Sequence, residues 1–226
     1  MCIRDRTHSP DAGFKHQIEG MTSDLCSEFE RVFDRAKVEE VMNDSVDQIL
    51  ETAQVLDFVP LMSYRFALER LNALARGHGE GSKETWDVVF VSLSGGGRGQ
   101  IAAALTTLLS ENQVSVHSAG TAVQAQIDPG VRAVIAELGI DPDEAFARPV
   151  TDEVLQAANV IVTMGHSVGV IDIPQHVRHE DWRVGDPIGA PITEMRRVRA
   201  DIETRVRALL ADLGAPDHDQ KPVIAA

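Results

Sequence analysis

The spacing of hydrophobic residues in the first third of the chain is typical of amphipathic helices. Between residues 22 and 77, apolar side chains recur every three or four positions in three successive stretches. Pro60 suits the first turn of the third helix, and Gly77 and Gly79 suit its end. The residues predicted to face inward are Leu25, Phe29, Val32, Phe33, Val38, Met42, Ser45, Ile49, Leu61, Tyr64, Leu68, Leu71 and Ala75.

We therefore predict a three-helix bundle over residues 22–79. Residues 1–21 are mostly polar and are predicted to be a disordered leader. Within the leader, residues 1–6 resemble the translation of a sequencing-library adapter, so we expect an artefact here and a natural start that is missing. Residues 80–84 are polar, contain glycine, and are predicted to be a linker.

From Trp86 onward, short apolar runs alternate with helical stretches. Because strands and helices alternate, we predict an α/β fold: a small, Rossmann-like, three-layer domain with a mostly parallel sheet over residues 85–214. A disordered tail is predicted over residues 215–226. The predicted strands are residues 87–92, 113–118, 159–164 and 176–183, and the predicted helices are residues 99–110, 128–139, a short one from 151, and 191–214.

Composition and charge exclude several functional classes. The net charge of −14 and the 43% hydrophobic content are those of a soluble protein that binds neither nucleic acid nor a membrane surface. The two cysteines, Cys2 and Cys26, form no disulfide framework, so we expect a reducing, cytoplasmic location. We expect no cofactor and no metal site, and interpret the histidines at 166, 176 and 179 as solvated loop residues.

The turn after the first predicted strand carries the candidate chemistry. It comprises Ser92, Leu93, Ser94, Gly95, Gly96, Gly97, Arg98 and Gly99. Backbone N–H groups in a tight glycine loop point at one spot, the helix that follows adds partial positive charge, and an arginine can bind two oxygens of an anion. The residues after the last glycine lack the Lys-Ser/Thr pair of a Walker loop, and the dinucleotide-binding pattern matches loosely. We therefore predict a phosphate-type oxyanion loop, and a plain glycine-rich turn remains the alternative.

Four segments in order give residues 86–213 a specific resemblance to the low-molecular-weight protein tyrosine phosphatases and the arsenate reductases of the same fold. The family's Cys-x5-Arg-Ser stands here as Ser92-x5-Arg98-Gly99. Its later motifs stand as Ser118-Ala119-Gly120-Thr121, Val162-Thr163-Met164-Gly165 and Asp186-Pro187. Residues 65–71 also resemble the small bundle fused ahead of actinobacterial-type arsenate reductases. The resemblance implies that Arg98 binds the anion and that Asp186 is the general acid.

The chain departs from this family at the residue that performs the chemistry. Ser92 stands where the resemblance places the nucleophilic cysteine, and Gly99 stands where it places a hydroxyl that tunes the thiol. Serine is a much weaker nucleophile than a thiolate, and it cannot carry out the sulfur redox steps of arsenate reduction. We therefore predict a pseudoenzyme that binds phosphate, arsenate or sulfate. Two alternatives remain: an active phosphatase or arsenate reductase with a non-standard nucleophile, and an interaction module that dimerises through the bundle and keeps a vestigial loop.

Overall fold

The computed structural model describes residues 12–78, 85–123, 126–142, 145–165 and 171–215. The chain forms two compact units that divide after Leu71. The predicted linker over 80–84 and all but the first residue of the predicted tail over 215–226 lie outside the described residues. Within those ranges, no helix has both the length and the apolar character that crossing a bilayer requires.

The first unit consists of helix α1 (Ala12–Glu28), helix α2 (Arg35–Thr52) and most of helix α3 (Val59–Gly77), which continues past the division. The prediction of a disordered leader is wrong for residues 12–21, because α1 begins at Ala12. Gly13 and Gly20 interrupt the hydrophobic pattern of α1. The residues partly or fully buried at helical spacing are Phe14, Ile18, Met21 and Leu25.

The predicted inward face is confirmed for α2 and only in part for α3. Val38, Met42, Ser45 and Ile49 of α2 are all buried. In α3, Leu71 and Ala75 are buried as predicted, but Leu61 is 43% exposed and Arg70 is only 9% exposed. Arg70 Nη1 donates hydrogen bonds to Asp44 Oδ2 at 2.6 Å and to Ser45 Oγ at 3.0 Å, and hydrophobic spacing does not indicate such a buried arginine.

The second unit contains a four-stranded, wholly parallel sheet with the strand order β2-β1-β3-β4. The strands are β1 (Trp86–Ser92), β2 (Val114–Gly120), β3 (Val160–Met164) and β4 (Arg178–Trp182). The helices are α4 (Arg98–Leu109), α5 (Pro129–Ala136), α6 (Asp152–Ala157) and α7 (Ile192–Leu213). The predicted α/β class, with a small helical unit ahead of it, is confirmed.

Both faces of β1 are buried. On one face Phe90 of β1 packs in the larger cluster with residues of α4, α5 and α7. On the other face Val89 and Val91 pack with residues of α6 and the end of α3. Because β1 is an inner strand, its last residue, Ser92, pairs with Gly120 on one side and Met164 on the other. The turn after Ser92 therefore lies at the carboxyl edge of the sheet, between two neighbouring strand ends.

Candidate functional site

The turn from Ser92 to α4 presents backbone donors without using them internally. Gly97 is the N-cap of α4 and offers no side chain to cap the helix. Gly96 N–H donates to Ser94 Oγ at 3.3 Å. Among the described residues, the N–H groups of Gly95, Gly97, Arg98 and Gly99 make no hydrogen bond. An open row of N–H groups at a helix N-terminus is the arrangement that holds an anion.

Gly95 and Gly120 let this turn lie directly against the end of β2. Gly95 has a φ of +66°, and a Cβ added to Gly120 would lie 2.7 Å from Gly95 N. Two backbone hydrogen bonds hold the segment after β2 to the start of the turn, from Thr121 N to Ser92 O at 3.1 Å and from Ala122 N to Leu93 O at 2.7 Å. The backbones can approach this closely only because both positions lack a side chain.

Gln100 fastens the turn from inside α4. Its side-chain amide is buried and donates to Gly95 O at 2.8 Å and to Phe146 O at 2.9 Å. One side chain thus ties the middle of the turn to the segment before α6. This bond gives the Gly95 carbonyl a partner within the protein.

Arg98 is held in place from three sides. Its Nη1 donates to Val184 O at 3.0 Å, its Nη2 lies 3.7 Å from Asp186 Oδ2, and its side chain is 11% exposed. Gly165, which has a φ of +93°, lies against the guanidinium: an added Cβ would be 2.6 Å from Arg98 Nη2. A guanidinium fixed in this way loses little conformational entropy when it binds an anion.

Asp186 reaches the turn through a loop that Asp128 stabilises. Asp128 Oδ2 accepts a hydrogen bond from Gly189 N at 3.1 Å, while its Oδ1 caps α5 by accepting from Gly130 N at 2.8 Å. Asp186 is 58% exposed, and its Oδ1 accepts from Ile188 N at 3.1 Å. The Asp186 carboxylate therefore lies on the solvent-exposed side of Arg98, where it can face the leaving group of a bound phosphate ester.

Ser92 lies at the closed end of the site. The residue is 2% exposed, and its Oγ has no hydrogen-bond partner among the described residues. Within those ranges, no imidazole or carboxylate contacts the hydroxyl to take its proton. The hydroxyl can donate to an anion in the turn.

The structure brings together the residues that the sequence predicted as a site. The eight residues from 92 to 99 run without a break from the end of β1 into the first turn of α4, and Arg98 Nη2 lies 3.7 Å from Asp186 Oδ2. Four residues of the site were not predicted from the sequence: Gly165, Val184, Gln100 and Asp128. Gly165 belongs to a motif already quoted, and Asp128 is the first residue of a predicted helix, but neither signal reveals a contact across the site.

The histidines outside the turn make ordinary polar contacts where they are described. His176 Nε2 lies 3.0 Å from Gln156 O, and His179 Nε2 lies 3.0 Å from Thr163 Oγ1. The described ranges hold no cluster of three or more histidine, cysteine or acidic residues that could bind a metal ion. His166 lies outside those ranges.

Two family models match the chain. The one described as "Low molecular weight phosphotyrosine protein phosphatase" matches residues 87–218. The one described as "Protein-tyrosine-phosphatase-like, N-terminal domain" matches residues 19–75. Together they cover both units, and the first includes every residue of the candidate site.

Arsenate reductases are among the most similar individual proteins. A putative arsenate reductase of Halobacterium salinarum is 29% identical over 133 residues, which is 57% of this chain and 93% of that protein. The solved thioredoxin-dependent arsenate reductase of Corynebacterium glutamicum has a TM-score of 0.78 at 26% identity, covering 88% of this chain and 97% of that one. A solved arsenate reductase in the phosphate binding state has a TM-score of 0.51 at 27% identity. The match covers 56% of this chain and 98% of that one.

Proposed function

Because this chain belongs to the low-molecular-weight phosphotyrosine protein phosphatase family, we propose that residues 92–99 bind a tetrahedral oxyanion and do not turn it over. The candidate anions are phosphate, arsenate and sulfate. The observation that carries the proposal is the fixed guanidinium of Arg98 beside a row of open N–H groups. A relative of the same fold has been solved in a phosphate binding state, which supports this choice of ligand.

Because the chain is strongly acidic, an anion has to be bound through local contacts. A net charge of −14 repels small anions at long range, so binding has to come from contacts inside the turn. The guanidinium supplies a full positive charge and a bidentate donor, and the N-terminus of α4 supplies partial positive charge. Asp186 opposes a dianion, but it is 58% exposed and solvent screens it more than it screens Arg98.

The side chain at position 92 argues against turnover. A serine hydroxyl needs a base to attack phosphorus, and Ser92 Oγ has no partner within the described chain. Arsenate reduction requires a thiol, and of the two cysteines Cys26 lies in α1, while Cys2 lies outside the described residues. The proposed role is therefore retention or sensing of an oxyanion in a reducing, cytoplasmic compartment.

One observation favours a second candidate, a slow phosphomonoesterase. Asp186 stands 3.7 Å from the Arg98 guanidinium, where a general acid for the leaving group belongs. A chain that only stores an anion has no use for this acid. The candidate requires the native chain to hydrolyse p-nitrophenyl phosphate faster than its Ser92→Ala variant does.

Thermal unfolding with and without phosphate tests the binding proposal. At a phosphate concentration about 100 times the dissociation constant, we expect the melting temperature to rise by roughly 5–10 °C. Arsenate and sulfate are expected to act similarly, and chloride at equal ionic strength is expected to have no such effect. Arg98→Ala should abolish the rise, because it removes the charge that binds the anion.

The matched control for this test is Arg197→Ala. Arg197 is 79% exposed and pairs with Glu194 one turn away, so its loss should leave the phosphate response unchanged. The melting temperature of each variant is measured with and without the anion, so the variant's own change in stability cancels. Equal responses in the native chain and in Arg98→Ala would refute the proposed site.

We also propose that the helical unit mediates self-association, as the alternative of a dimerising module requires. Val55 and Phe58, just before α3, and Leu61, in its first turn, are 51%, 60% and 43% exposed. Large apolar side chains in such a group mark association surfaces. Sedimentation equilibrium should show a dimer that Phe58→Ser converts to monomer, while Lys37→Ala on α2 leaves it intact. A monomeric native chain at high concentration would contradict this.

A further inference from the structure

Two buried hydroxyl groups lie close to Gly99, in the first turn of α4, where residue 99 has no side chain. Ser92 is 2% exposed and Ser118 is 1% exposed. Neither Oγ atom has a hydrogen-bond partner among the described residues. A Cβ added to Gly99 would lie 2.6 Å from Ser118 Oγ and 3.6 Å from Ser92 Oγ. Both hydroxyls thus border the same small volume.

The sheet register explains why these two serines face each other. Ser92 is the last residue of β1, and Ser118 on β2 pairs with Phe90, two residues before Ser92. Residues two apart on a strand share a face, and paired residues on neighbouring strands share it too. Ser118 therefore points to the same side of the sheet as Ser92, under the start of α4.

A buried hydroxyl without a partner is costly, and two of them border the space next to Gly99. In their present rotamers they make no bond, but a rotation about one Cα–Cβ bond changes which groups each oxygen approaches. An anion in the turn provides the acceptor that orients the Ser92 proton. Ser118 can then donate to Ser92 Oγ, which satisfies both groups.

We propose that Ser118 supplies, from β2, the hydroxyl that the family resemblance leads one to expect at position 99. Ser118 is a positioning residue: it bonds to the side chain at position 92 and acts on the anion through it. The inference deepens the proposed function and rests on it, because position 92 must face the anion. Glycine at 99 follows from the same geometry, since any side chain there would displace the Ser118 hydroxyl.

A thiol placed at position 92 reports on this hydroxyl directly. A hydrogen bond donated to a thiolate stabilises the charged form and lowers the thiol pKa. The measurement is the pH dependence of iodoacetamide alkylation in Ser92→Cys, followed by mass spectrometry on the peptide that contains residue 92. Ser92→Cys/Ser118→Ala should show a thiol pKa higher by about one unit.

Moving the hydroxyl back to α4 is the matched rescue. Ser92→Cys/Ser118→Ala/Gly99→Ser deletes one hydroxyl and adds another in the same volume, so the thiol pKa should return toward that of Ser92→Cys. A purely structural role for Ser118 would change stability without this loss and recovery. An unchanged thiol pKa in the Ser118→Ala variant would overturn the inference.

A different variant tests the inference if Ser118→Ala does not fold. Gly99→Ala in the Ser92→Cys chain leaves Ser118 present but places a Cβ 2.6 Å from the present position of its Oγ, which forces the hydroxyl away. The thiol pKa should again rise, and no rise would contradict the inference. These assays contain no anion, so their outcome is separate from whether the native chain binds phosphate.

Discussion

Ser92→Cys is expected to convert this chain into a phosphomonoesterase that hydrolyses p-nitrophenyl phosphate roughly 10³-fold faster than the native chain. The substitution changes one atom at the closed end of a site whose other parts are in place. The open N–H groups and Arg98 would hold the phosphoryl group, and they would also favour the thiolate form of the new side chain. The thiolate would form an S–P bond as the P–O bond breaks, and water would then release phosphate.

Asp186 provides a second test of this prediction. In Ser92→Cys, its carboxyl group would protonate the departing oxygen, a contribution of about 10²–10⁴-fold for a poor leaving group. Asp186→Asn in the Ser92→Cys chain should therefore slow phenyl phosphate hydrolysis much more than p-nitrophenyl phosphate hydrolysis. The rate of Ser92→Ala sets the background. Ser92→Cys at background rate would show that the turn does not present position 92 to the substrate.

Gly120→Ala is expected to lower the free energy of unfolding by about 2 kcal/mol and to abolish the response to phosphate. The added methyl would lie 2.7 Å from Gly95 N, 2.8 Å from Ser94 C and 3.0 Å from Gly95 Cα. These are backbone atoms, so no side-chain rotation can make room. The turn and the end of β2 would have to separate, and the N–H groups of the turn would lose their common direction.

Gly185→Ala is the control for this second prediction. Its added methyl would meet only Val198 Cγ2 at 3.6 Å, an ordinary contact, although the residue neighbours Asp186. Its unfolding free energy should stay within about 0.5 kcal/mol of the native value, and its phosphate response should persist. Urea unfolding, with and without phosphate, measures both quantities. A Gly120→Ala chain as stable as the control would disprove the close contact between turn and strand.

The regular elements of the second unit could be predicted from local pattern alone. Apolar runs marked β1, β2 and β3, whereas β4 is mostly polar; the predicted helix over 128–139 contains α5, and Gly214, with a φ of +65°, closes α7 as expected. These signals lie within a few residues of the structures they specify. The turn at 92–99 belongs with them, since its glycines and arginine are consecutive.

Contacts between distant segments could not be predicted in this way. The inward face of α3 includes Arg70, whose hydrogen-bond partners Asp44 and Ser45 lie on another helix. Gly165 beneath Arg98 and Ser118 beside Gly99 bring together residues far apart in sequence. The second of these contacts changes the interpretation of the site, because Gly99 alone indicates a lost hydroxyl, whereas Ser118 restores one from β2.

Calorimetric titration of inorganic phosphate into the native chain, beside Ser92→Cys, tests the central claim most directly. If position 92 supplies only the chemistry and the rest of the turn supplies the binding, both chains should bind one phosphate with dissociation constants within about tenfold of each other. The native chain should also hydrolyse p-nitrophenyl phosphate no faster than the Ser92→Ala variant does. Phosphate binding by Ser92→Cys and none by the native chain would contradict the account.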